Sequence, residues 1–277
     1  MRNKVSQTIP YQFDTAYSPF SASQFEYALD WIAKQGFTGV ELAIAYPQEV
    51  DATRLLQSTN SRNLSITTLS TGQVYGRDGL YLAAPEREIR DGAIRIIKGH
   101  IDLSAGIGSP PVTIGLLRGD GKTGDHSEQL QNFRAAMEEC VSYALSQNVR
   151  LQIEPLNTRE SSLLNTVGEV LAFIDSMGNP DNLGILYDTY HAGFEKLDPL
   201  QLIHAAGKKL FNIHYADTDR QLPGFGNIDF ITTHRAILAT GYQGAFALEA
   251  MTKPSREFVL EHCKQSIFDI IRATEEP

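Results

Sequence analysis

The chain has 277 residues, 42% of them hydrophobic and 21% charged, with a formal net charge of −9. That length can bury one large core, and the composition is that of an ordinary globular protein rather than a disordered or fibrous one. The acidic balance argues against a nucleic-acid or anionic-membrane surface, since both need a basic footprint, although it does not exclude a local basic pocket.

In chain order, residues 11–15 stand as the expected first strand, and Ser21 with Gln24 has the form of a capping box opening a helix. Phe25, Leu29 and Ile32 then fall at helical spacing, and Gly36 is placed to end that helix. Strands are expected over 39–44, 64–70 and 111–117, with a helix over 86–105 before the last of them. From there a helix precedes each strand: 126–147 before 149–154, 166–177 before 183–188, 199–208 before 210–214, and 230–240 before 245–249. Residues 256–273 form a closing helix. Residues 35–40 (QGFTGV) and 240–245 (TGYQGA) repeat one helix-stop, aromatic, strand-start pattern. Eight alternating units in a chain of this size specify a closed (β/α)₈ TIM barrel, one domain over residues 1–277. Cys140 and Cys263 lie in helical patterns and read as small buried hydrophobes, with no disulfide framework or thiolate metal site. The first residues carry positive charge but no apolar stretch of signal-peptide length, and no run approaches a membrane span, so a cytoplasmic location is expected.

Four strands end on a metal-ligating residue: Glu154, Asp188, His214 and Glu249. Ionisable side chains are rarely buried unless paired or bound to a metal. In a parallel barrel all four reach the same C-terminal mouth, where active sites of this architecture sit. Three carboxylates and an imidazole at one mouth repel one another without a cation, so a single divalent metal site is expected. Each residue alone could be a helix cap or an outer hydrogen-bonding group; it is their coincidence that points to a metal. Oxygen donors with one imidazole suit Mn²⁺ first, with Mg²⁺ or Co²⁺ as alternatives.

At these residues the chain resembles the sugar isomerase/epimerase family of metal-dependent barrels, and within it the D-tagatose and D-psicose 3-epimerases. Glu154-Pro-Leu-Asn157 with Glu160 resembles the segment Glu-x-x-Asn-Arg-aromatic-Glu, and Asp188-Thr-Tyr-His191 resembles Asp-Thr-Phe-His. His214 through Arg220, followed by Pro223-Gly-Phe-Gly226, resembles the His…Arg…Pro-Gly-x-Gly stretch, and Ala247-Leu-Glu249 the last ligand strand. Thr158-Arg159 stands where these epimerases carry Arg and an aromatic, and Ala192-Gly193 where a bulkier pair is common.

The resemblance implies that Glu154, Asp188, His214 and Glu249 bind the metal and that Glu154 and Glu249 double as the acid/base pair. It further implies that Glu160, His191 and Arg220 hold the oxygens at the C1–C3 end of a small-molecule sugar. Relatives of this kind are commonly dimers or tetramers, so a homodimer or homotetramer is expected, with no nucleic acid or membrane partner. C3 epimerisation of a free ketose is the leading expectation. A sugar-phosphate or hydroxypyruvate-type isomerase, a dehydratase on the same barrel and a non-catalytic sugar-binding barrel are the alternatives. The bland readings are a structural strand-end histidine for His191 and a solvated loop charge for Arg220. Arg118, at another strand end, is expected to bind a phosphate or distal hydroxyl, or to form a salt bridge. Asp217 and Asp219 read as solvated loop acids, and His100, His126, His204, His234 and His262 as structural.

Overall fold

The computed structural model describes residues 3–194 and 198–275; Met1 and Arg2, part of the N-terminal stretch considered above, lie outside them. Eight strands form the barrel: β1 (Lys4–Pro10), β2 (Gly39–Ala43), β3 (Ser65–Ser70), β4 (Val112–Ile114), β5 (Leu151–Ile153), β6 (Leu183–Asp188), β7 (Leu210–Tyr215) and β8 (Ala245–Leu248). Each pairs in parallel with the next, and β8 closes on β1. The expected closed (β/α)₈ barrel is therefore borne out.

The helices are α1 (Phe25–Lys34), α2 (Ala52–Asn60), α3 (Gln73–Asp78), α4 (Arg87–Gly106), α5 (His126–Ser146), α6 (Val167–Ser176), α7 (Thr189–Phe194), α8 (Pro199–Ala206), α9 (Phe230–Ala239) and α10 (Arg256–Glu275). Their starts follow capping chemistry. Asp51, Asp125, Thr166, Asp198 and Asp229 each accept a hydrogen bond from a first-turn amide of α2, α5, α6, α8 and α9 respectively. At Thr166 the Glu169 side chain completes a capping box. Gly36, at φ 90°, follows α1 in the left-handed region, as its position predicted.

The first strand is a correction: it is residues 4–10, not 11–15. Ser6, Gln7 and Thr8 are buried within it, and this polarity hid a strand that pairs on both edges. Residues 11–15 instead begin the loop over the mouth. The expected strand 111–117 is cut to three residues, and 116–118 turn as a single 3₁₀ turn carrying Arg118. Helix α2, with only Leu55 and Thr59 buried, has too narrow an apolar face to be read from periodicity.

Apolar side chains such as Ile9, Leu42, Leu69, Ile114, Ile153 and Ile185 are fully buried in one continuous core cluster. Among the strands lies a set of buried polar side chains: Thr8, Glu41, Thr68, Thr113, Gln152 and Asn212. Gln152 donates to Thr113 Oγ1 at 2.8 Å, and Asn212 donates to Thr68 Oγ1 at 2.7 Å, joining β7 to β3 across the barrel. Both cysteines are buried and free. Among the described residues no helix is long and apolar enough to cross a membrane.

Candidate active site

Glu154 immediately follows β5, Asp188 ends β6, His214 is the penultimate residue of β7, and Glu249 follows β8. Register brings them level: Asp188 pairs with His214, and His214 with Ala247, two residues before Glu249. All four are buried, and one donor atom from each lies within 4.8 Å of all the others. His214 Nδ1 is 3.3 Å from Glu249 Oε2, 3.6 Å from Glu154 Oε1 and 3.9 Å from Asp188 Oδ2. Neither His214 Nδ1 nor Glu154 Oε1 has a hydrogen-bond partner. Buried polar atoms without partners are costly, and here they face a common point between hard oxygen donors and an imidazole. The donor set fits a divalent cation.

The electrostatics agree. Burial pushes the Asp188 carboxyl up to about 8, against the pull of Arg220. Burial also opposes ionisation of Glu249, but the charges of His214 and Arg220, with the Arg220 hydrogen bond, outweigh it and hold that carboxyl down at about 2. Carboxylates in one cluster are thus driven apart in acidity, a pattern concentrated at functional sites.

Around this cluster sit the three other expected residues. Arg220 is 4% exposed, so it is no solvated loop charge. It reaches Glu249 Oε2 at 2.5 Å, Asp188 Oδ2 at 3.5 Å and Glu160 Oε1 at 3.3 Å, and its guanidinium lies over the rings of Tyr17 and Tyr190, 4.2 and 5.1 Å from their centroids. His191 Nδ1 accepts from the Asn157 backbone amide at 3.2 Å and from Asn157 Nδ2 at 2.9 Å. Asn157 Oδ1 is occupied by the Arg159 amide, which fixes the direction of the Asn157 carboxamide. Two donors on Nδ1 leave the proton on Nε2, which points between Glu154 Oε1 and Asp188 Oδ2, 3.7 Å from each. Burial and the Arg220 charge hold this imidazole well below its usual pKa, hence neutral. The histidine is therefore a neutral donor aimed into the cluster.

A cavity of about 170 Å³ opens over the cluster. Its lining includes Thr8, Thr15, Tyr17, Ser70, Thr71, Gln73, Glu160 and Arg220, and Arg220 is its single cationic residue among those described. A larger apolar groove of about 570 Å³ lies between residues 223–231 and α10, away from these donors. The chemistry belongs to the smaller one.

Two expectations need correction. Arg118 is fully buried and lines no part of the cavity; its Nη2 donates to the Glu154 backbone carbonyl at 2.6 Å. It braces the β5 end rather than binding a phosphate or hydroxyl, and no carboxylate pairs with it among the described residues. Asp217 is fully buried rather than solvated: its carboxylate accepts from the amides of Thr218, Gly224, Gly226 and Ile228. Asp219 is exposed, as expected. His100 is buried between the Ile96 and Ile44 carbonyls, a structural role.

The sequence reading missed Glu41, whose Oε2 lies 2.8 Å from His214 Nε2. The signal was present: Glu41 is the one charged residue of the run 39–44. It also missed Tyr17 and the role of Asn157.

The family profile described as Xylose isomerase-like TIM barrel matches residues 29–264, and the chain belongs to that family. Within it the chain is 28% identical over 233 residues to an L-ribulose 3-epimerase of Mesorhizobium japonicum, a match covering 83% of this chain and 76% of that one. A solved L-ribulose 3-epimerase structure superposes with a TM-score of 0.83 at 23% identity, over 99% of this chain and 95% of the other. A D-allulose 3-epimerase from Methylomonas sp., solved in complex with D-allulose, gives 0.82 at 20% identity, over 98% of each chain. The expected likeness to the ketose 3-epimerases and the expected enzyme class, carbohydrate epimerase or isomerase, are both borne out.

Proposed function

We propose that the chain, as one domain over residues 1–277, is a divalent-metal-dependent epimerase that inverts C3 of a free ketose. The observation that carries this reading is the convergence of Glu154, Asp188, His214 and Glu249 within 4.8 Å beside a small polar cavity. A cation held there, Mn²⁺ first and Mg²⁺ or Co²⁺ next, supplies Lewis-acid stabilisation for negative charge on the C2 and C3 oxygens.

The remaining work falls to the chain itself. Glu154 and Glu249 arrive from strands three positions apart around the barrel, so their carboxylates address different faces of a sugar lying between them. One removes the C3 proton and the other returns a proton to the opposite face, which inverts the centre. His191 Nε2–H donates to a substrate oxygen at the reacting end. Arg220 and Glu160, already in contact, position the neighbouring oxygens, and the charges of His214 and then Arg220 keep Glu249 ionised. Arg220 is the sole cationic residue described in the lining and is committed to carboxylates, so a phosphate finds no anchor, which favours a free sugar over a sugar phosphate.

The test is incubation of metal-loaded protein with ketopentoses and ketohexoses in heavy water, followed by NMR. Deuterium should enter at C3, and Glu249→Gln should abolish that exchange while leaving the protein folded. Deuterium at C1 alone would assign aldose–ketose isomerisation instead, and no exchange with any metal or ketose would overturn the reading.

A further inference from the structure

Outside the ligand set, the most unusual side chain in the barrel is Glu41. It is a fully buried carboxylate on β2 with no lysine or arginine bonded to it among the described residues. A buried carboxylate is costly unless its oxygens are satisfied, so its position needs compensation. The compensation is a set of donors from strands around the lumen. Thr8 Oγ1 on β1 donates to Oε1 at 3.3 Å, and Asn212 Nδ2 on β7 donates to Oε2 at 3.3 Å while Thr68 Oγ1 on β3 holds the same amide at 2.7 Å. The closest partner is His214 Nε2 at 2.8 Å. His214 thus has one ring nitrogen against a clamped carboxylate and the other, Nδ1, without a partner among Glu154, Asp188 and Glu249.

We propose that Glu41 is the positioning residue of this site: it holds a hydrogen on His214 Nε2 and fixes the ring so that Nδ1 presents its lone pair to the cation. A carboxylate accepts only, so the hydrogen between the two groups belongs to Nε2. An imidazole has two tautomers and can rotate; a clamped acceptor removes both freedoms and raises the basicity of the other nitrogen. Metal-bound histidines generally depend on such an outer partner, whose loss lowers metal affinity about 10- to 100-fold. The clamp explains why a carboxylate is retained in the barrel interior, and why Thr8, Thr68 and Asn212 stand where aliphatic side chains would otherwise pack. The inference rests on the reading of the cluster as a cation site, but its first test does not.

That test is nitrogen NMR of wild-type protein with labelled histidine, metal-free and zinc-loaded. A hydrogen-bearing Nε2 at His214 is expected in both forms, and an Nε2 without hydrogen overturns the proposal whatever the metal does. The second is calorimetric titration of Mn²⁺ and Co²⁺ into wild type, Glu41→Gln and Glu41→Asp, with circular dichroism to show that each is folded. Gln offers an amide that either accepts or donates, and Asp is too short to keep the contact, so both should bind metal about 10- to 100-fold more weakly than wild type. Wild-type affinity in a folded Glu41→Gln contradicts the proposal. Failure of wild type itself to bind metal would instead sink the epimerase reading, leaving the nitrogen spectrum to decide Glu41. A merely structural role would lower stability without moving the hydrogen or the cobalt absorption spectrum.

Discussion

A glycine shows how tightly the reacting groups are fitted. A Cβ on Gly115, just past β4, would stand 2.9 Å from Glu154 Oε2. Alanine there must displace the carboxylate, since real Cβ atoms do not approach so closely. Gly115→Ala should therefore lower kcat by about tenfold or more, because small misplacements of reacting groups are costly. A variant with wild-type turnover would show that Glu154 is free to reposition. The same scale separates what could be read beforehand from what could not. Glu154, Asp188, His214 and Glu249 were legible because each ends an apolar run with a charge that has no reason to be there. Glu41 was only half legible: its lone charge marks it within the run 39–44, but nothing in one dimension shows which nitrogen it faces across the barrel. Asn157 lay inside a quoted motif, yet only geometry shows it setting the tautomer of His191.

Among the elements, the segment after β7 does the most for the site. Asp219 and Arg220 both have positive φ, 57° and 59°, an arrangement that ordinary side chains adopt at a cost and that persists where surroundings enforce it. The enforcement comes from Asp217, which gathers four backbone amides from residues 218–228. It comes also from the Met251 amide, which donates to the Arg220 carbonyl at 2.7 Å. Gly226 is required because a Cβ there would collide with Asp217 and Thr218, which gives the Pro223-Gly-Phe-Gly226 phrase its physical meaning. Asp217→Ala should orphan these amides and free Arg220. We expect stability to fall by about 2–4 kcal/mol, within the range for losing a buried network, and KM to rise more than metal affinity falls. Urea unfolding and steady-state kinetics check both; an unchanged KM would detach Asp217 from the site. Periodicity placed this segment as a loop correctly, but an acid that bonds only backbone looks in sequence like any solvated one. The misplaced first strand has a related cause: in a barrel whose interior is partly polar, Ser6, Gln7 and Thr8 break the apolar signature of β1.

For the molecule as a whole, the barrel is closed by parallel pairing on every strand, and its buried titratable groups tie stability to pH. His234 is buried, accepts or donates at 2.8 Å to Tyr215 and packs on Phe246; burial depresses its pKa to about 4. Between the unfolded value near 6.5 and that folded value, only the unfolded chain takes up the proton. The contribution to stability is therefore complete above pH 6.5 and lost as pH falls toward 4, by about 1.4 kcal/mol for each pH unit in that window. Urea unfolding at pH 7 and pH 5 should show a larger loss in wild type than in His234→Gln; equal losses would remove His234 as the cause. Fold and mouth were readable at this scale because alternation and strand-end charges survive in one dimension, whereas contacts across the lumen, between residues as far apart as 41 and 214, do not.

The central claim is that donors from four strands hold one cation at the barrel mouth. Anomalous diffraction from crystals soaked in Mn²⁺ tests it most directly. A single strong peak should lie between Glu154, Asp188, His214 Nδ1 and Glu249, and should vanish in Asp188→Asn. A mouth without a peak, or a peak bound elsewhere with these side chains turned apart, would contradict it.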